Sequence, residues 1–139
     1  MSIDELLLRY KSGERNFKGV NLIGSYLNGV DLSGANLHGA TICEADLSQA
    51  NLMGANLTEA SLVGANLSGA DLSGANLSGA KLYEAKLTGA VLKKAELKMA
   101  HLIDADLTAA ELLEANLYGA YTIGATWDGA IMPDGNMYK

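Results

Sequence analysis

Every fifth residue from Ala35 to Ala130 is alanine, and every fifth residue from Leu22 to Leu117 is leucine apart from Ile42. A period of five excludes a single straight element. Five steps at 100° turn an α-helix by about 500°, and five at 180° flip a strand to its other face, so neither keeps the leucines on one side. All of them reach a common axis if the chain bends once per repeat, each block forming one short extended side with its leucine pointing inward. Alanine, two positions earlier, shares that parity and faces inward too, small enough to fit between leucines. The other three positions face outward. Glycine at the last of them suits a corner residue with positive φ.

The number of sides per coil is set by a longer period among the outward positions. At a step of twenty, Ile23, Cys43, Val63, Tyr83, Ile103 and Ile123 form an apolar column, and Asn28, Ser48, Ser68, Thr88, Thr108 and Asp128 a small polar one. A step of fifteen from Ile23 meets His38, Met53 and Ser68, which share no character. Four blocks per coil therefore fit best. The cross-section is square, and residues 15–134 make about six coils, each rising by roughly the 4.8 Å spacing of paired strands.

Blocks such as ANLHG, ADLSQ, ANLTE and ADLSG run from Arg15 to Asp134 without an insertion. Their A-N/D-L-X-X pattern resembles that of the pentapeptide repeat proteins. The resemblance implies an all-β fold, a right-handed quadrilateral parallel β-helix with leucine and alanine inside; the handedness comes from the resemblance alone. Three segments follow: a capping region 1–14, the repeat coil 15–134 and a tail 135–139.

A solenoid exposes its last core layer and unpaired backbone at each end unless something covers them. Ser2 and Glu5 have capping-box spacing, Ile3, Leu6, Leu7 and Tyr10 recur on one helical face, and Gly13 follows as a stop. A helix over residues 2–12 is predicted, its apolar face on the first coil near Phe17 and Leu22. At the other end Thr122, Trp127 and Met132 replace the inward leucine, and Pro133 interrupts pairing. Tyr121, Trp127, Met132 and Tyr138 there form either a cap or a dimer contact, and both readings stay open.

Composition narrows the function classes. Ten Lys and Arg against sixteen Asp and Glu leave a net charge of −6, which disfavours direct binding to nucleic-acid phosphates or anionic lipid. Acids near the amino terminus and only three consecutive leucines give neither a signal peptide nor a membrane span, so a cytoplasmic location is expected. The single cysteine, Cys43, cannot form an internal disulfide.

Catalysis needs a nucleophile, a base and an orienting group that converge. The only histidines, His38 and His101, lie on different sides, separated by roughly 14 Å along the axis at strand spacing. Glu44, Glu84 and Asp104 share one column but read as solvated carboxylates, and the regularly spaced glycines are corner residues rather than a phosphate loop. No catalytic residue, cofactor site or metal site is assigned.

Two features point to partners. The apolar column from Ile23 to Ile123 would form a stripe along one side, either a contact surface for a protein or a self-stabilising ladder. Charge is also unevenly distributed. Residues 19–80 carry five acids and no Lys or Arg, and residues 101–139 six acids and Lys139. Between them lie Lys81, Lys86, Lys93, Lys94 and Lys98 with Glu84 and Glu96. Some pentapeptide repeat proteins mimic duplex DNA toward a type II topoisomerase such as gyrase, and the lysine belt breaks the continuous acidic rows that role requires. The expectation is a non-enzymatic protein–protein interaction or scaffold module, monomeric or dimerised end to end, with topoisomerase-directed DNA mimicry as the alternative.

Overall fold

A computed structural model describes residues 1–139. Parallel bridges join residues twenty apart, in unbroken succession from Asn16↔Asn36 to Glu111↔Ile131. Each coil thus has twenty residues and four sides. Side 1 centres on Leu22, Ile42, Leu62, Leu82, Leu102 and Thr122; side 2 on Leu27 and its successors; side 3 on Leu32 and its successors; side 4 on Phe17, Leu37 and their successors.

The block around Leu72 shows what each consensus position does. Asp71 N–H donates to the Ala50 carbonyl of the preceding coil (2.9 Å), while Leu72 N–H and Gly74 N–H donate to Val91 (2.7 Å) and Lys93 (2.9 Å) of the next. Ala75 N–H closes the corner onto Leu72 (3.0 Å). The fifth donor, Ser73 N–H, is taken by the Asp71 carboxylate (3.0 Å). Every N–H of the block has a partner, as a compact fold requires. The Asn/Asp position, read from the sequence only as an outward residue, is therefore the acceptor that completes the turn.

The core is a stack of leucines with alanines between them, buried from Leu22 to Leu112, and it contains no buried polar residue. Each corner takes a left-handed conformation. Sixteen glycines have positive φ, and so do nine other residues, among them Glu44, Glu59, Lys94 and Ala109. The corner geometry thus comes from the stacked coils, with glycine the residue that adopts it without strain. Where a long side chain occupies a corner it folds over the glycine one coil on: Glu44 over Gly64, Gln49 over Gly69, Glu59 over Gly79 and Met99 over Gly119.

Helix α1 spans Ile3–Lys11, with the Ser2 hydroxyl accepting from Glu5 N–H (3.1 Å). Leu6 is fully buried in the core, with Ile3 and Tyr10 packed beside it. Tyr10 donates to the Ser33 carbonyl (2.7 Å), and the Arg15 guanidinium lies over the Tyr10 ring (3.7 Å). After Pro133 the chain reverses, and Met137 pairs antiparallel with Ile131. Gly129 N–H donates to Tyr138, Tyr138 N–H to Ala130, and Met132 N–H to Asn136. No helix is long and apolar enough to cross a membrane.

Candidate interaction surface

The apolar column lies on side 1, one residue after each inward position. Its ends are open, Ile23 being 55% and Ile123 79% exposed. Cys43, Val63, Tyr83 and Ile103 between them are half-buried. The cause is the neighbouring column on the same side. Cys43 Sγ lies 3.1 Å from Ser61 Oγ, the Tyr83 hydroxyl 2.8 Å from His101 Nδ1, and the His101 ring stacks on Tyr121 at 4.9 Å between centroids. The stripe is thus a partly covered ladder at its centre and bare at both ends.

These contacts run diagonally. A residue following one inward leucine meets the residue preceding the leucine of the next coil, eighteen positions on: Cys43 with Ser61, Tyr83 with His101, Thr88 with Asp106 (3.3 Å), Lys93 with Glu111 (3.6 Å). They join two different twenty-residue columns. A second column set at a step of eighteen was the available signal.

The acidic corner beside the stripe carries Glu44, Glu84 and Asp104, none of them in an ion pair, while the pairs of the coil fall on sides 3 and 4: Lys93–Glu111, Lys94–Glu114 (3.8 Å) and Lys98–Glu96 (3.8 Å). All are solvent-exposed and contribute little to stability. Asp46 is held below the usual carboxylate range by the Ser48 hydroxyl and then the Ser48 N–H. For Asp31 the order is reversed, the Ser33 N–H before its hydroxyl, and for Asp106 the Thr108 hydroxyl leads. These shifts belong to the corner turns. His38 bonds Thr58 Oγ1 through Nδ1 (2.6 Å) on side 4, away from His101 on side 1. No three metal-ligating side chains converge, and the surface has no enclosed pocket.

Of the four carboxy-terminal residues singled out, Trp127 and Met132 pack half-buried against the end of the core, while Tyr121 and Tyr138 are exposed. Tyr138 closes one side through its backbone, and Tyr121 extends the aromatic ladder of side 1.

A continuous four-sided coil with a solid aliphatic interior and no pocket defines a repeat solenoid whose outer surface is all it offers a partner. The sequence matches the pentapeptide repeat family in eight copies, over residues 16–49, 50–89 and 85–121, and the chain belongs to that family. No curated protein matches it. Among solved structures, a pentapeptide repeat protein from Nostoc PCC 7120 is 34% identical, with 90% of this chain and 94% of that one covered and a TM-score of 0.45. HetL from the same cyanobacterium, a pentapeptide repeat protein involved in heterocyst differentiation regulation, is 28% identical over 99% of this chain and 100% of its own, with a TM-score of 0.39. QnrB1, a plasmid-mediated fluoroquinolone resistance protein, is 26% identical in a trypsin-treated form, with 86% of this chain and 66% of that one covered and a TM-score of 0.56. Pentapeptide repeat proteins are in general structural or interaction modules.

Proposed function

We propose that the protein is a non-enzymatic interaction module, a coil that presents side 1 to a protein partner in the cytoplasm. On the same family grounds the coil is assigned a right-handed sense. The observation that carries the proposal is the alignment of Ile23, Cys43, Val63, Tyr83, Ile103 and Ile123 along one side, with bare isoleucines at both ends. Apolar side chains in a continuous strip favour association because their contact with another apolar surface releases water. A pull-down from native lysate compares the wild type with the double variant Val63→Ser, Ile103→Ser. Loss of one specific band with an unchanged melting temperature supports the stripe; identical bands from both proteins remove it.

The second reading is mimicry of duplex DNA toward a type II topoisomerase. It is favoured by the likeness to a fluoroquinolone resistance protein, at a TM-score of 0.56. It is opposed by Lys81, Lys86, Lys93, Lys94 and Lys98, which interrupt the negative rows. A mimic inhibits supercoiling, or protects it from a topoisomerase poison, in a salt-dependent way. A scaffold does neither.

A further inference from the structure

Backbone donors without a partner mark the cut ends of the stack, at Asn21, Tyr26 and Asp31 in the first coil and at Leu117, Thr122 and Trp127 in the last. Side 1 has a further row of them along its middle. On the other sides the Asn or Asp before a leucine often takes the N–H two residues on, as it does for His38, Ser48 and Ser73. On side 1 this holds only for Ile23. Thr41, Ser61, Lys81 and His101 stand in that place in the later coils, and the N–H groups of Cys43, Val63, Tyr83 and Ile103 have no acceptor within the chain. Between its corners, side 1 is also the one side without a carboxylate.

Charge is confined to the two edges of the stripe. Lys81 and His101 precede it, and Glu84 and Asp104 follow it at the corner, in the same two coils. Lys81, Glu84 and Asp104 join none of the ion pairs of the chain.

We propose that side 1 pairs with side 1 of a second copy, the two coils lying parallel about a two-fold axis that runs along the stripe. This rests on the reading of side 1 as the contact face and names its occupant. Three observations select it. A second coil repeats at the stripe's own spacing of about 4.8 Å, whereas an α-helix, at about 5.4 Å per turn, slips by about 3 Å between Ile23 and Ile123. A two-fold axis along the coil keeps each residue at its own height and exchanges the two edges, so Glu84 meets the partner's Lys81 and Asp104 the partner's His101. The antiparallel arrangement, with Ile23 over the partner's Ile123, instead opposes Glu44 to the partner's Asp104, like charge to like. Finally, the second copy brings the hydroxyls of Thr41 and Ser61 and the corner carboxylates as acceptors to a face of unpaired N–H groups, which a purely apolar occupant would strand. The strip is narrow and roughly 24 Å long, so the dimer belongs to the weak, concentration-dependent class.

Sedimentation equilibrium of the full chain, with cross-linking of its single cysteine by a short bis-maleimide, tests this. The parallel arrangement sets Cys43 against the partner's Cys43, and the antiparallel one sets it against the partner's Ile103. The expected wild type moves from 14.5 kDa toward twice that mass with rising concentration and becomes linked through Cys43 as it does so. Glu84→Lys opposes lysine to lysine and should weaken dimerisation at least about tenfold, and adding Lys81→Glu should restore it. Both exchanges suit their places, since Lys94 holds the same corner conformation as Glu84, and Glu96 precedes a leucine as Lys81 does. A dimer that Cys43 does not link, or a double variant no better than Glu84→Lys, overturns the proposal. A wild type of 14.5 kDa at every concentration whose lysate band still depends on Val63 and Ile103 overturns this assignment and leaves the side 1 reading standing. A monomer whose band is indifferent to them overturns both.

Discussion

The two ends of the coil solve one problem differently. At the amino end a helix inserts Leu6 as the final piece of the aliphatic stack and is held by Tyr10 and Arg15. At the carboxyl end a short antiparallel return covers one side of four and leaves Leu117 and Trp127 half in water. Both ends keep unpaired backbone groups, so the difference lies in the core. A solenoid tolerates a solvated edge more readily than an exposed leucine layer, because water can bond the edge and cannot compensate the layer.

The comparison breaks most visibly inside the stack. Leu72→Asp puts a carboxylate where nothing can bond it, at a cost of several kcal/mol, a large part of the about 5–15 kcal/mol that holds a typical domain together. Its cooperative thermal transition should vanish, whereas Leu117→Asp, half-open to water, should melt earlier yet still cooperatively. Ala70→Leu overfills a position buried completely and should cost about 1–3 kcal/mol or more, while Ser73→Ala should stay within about 0.5 kcal/mol of wild type.

A step down in size, Leu6→Ala should lower unfolding free energy by about 2–4 kcal/mol in urea. Trp127→Ala should cost less at protein concentrations that keep the chain monomeric, although it deletes the larger side chain. The reverse order would mean that the carboxyl end is the better sealed.

Smaller still is the capping contact. Ser2→Ala removes the acceptor of Glu5 N–H and should cost about 1 kcal/mol, with loss of helical signal before the coil melts.

The smallest effect is acid-linked and separates corner turns from ends. Asp31, Asp46 and Asp106 have folded-state pKa values below their ordinary ones, so the stability they add is full above the unfolded value, about 4, and is lost as pH falls through the folded values. Asp46→Asn keeps an oxygen for Ser48 N–H but cannot titrate. It should flatten the acid limb of the melting temperature against pH and leave the neutral region nearly unchanged.

Much of this architecture is legible in the residues. The five-residue spacing of alanine and leucine requires a bend per block, the column from Ile23 to Ile123 requires twenty residues per coil, and Ser2, Leu6 and Gly13 announce a capping helix. The candidate surface is less so. Its six residues are readable as a column, but the half-burial of Cys43, Val63, Tyr83 and Ile103 depends on neighbours eighteen positions away, which belong to a different column from the twenty-residue one.

By itself the sequence determined the period, the interior and the corners, because a strict repeat forces every block into one solution and a single buried leucine per block leaves little choice of side. Only the tertiary structure decided that four glutamates, an aspartate, a glutamine, a methionine, a lysine and an alanine adopt the glycine conformation at nine corners, where stacked coils override local preference. It also decided which edge groups go unpaired, since an N–H is satisfied or not according to what lies one coil away.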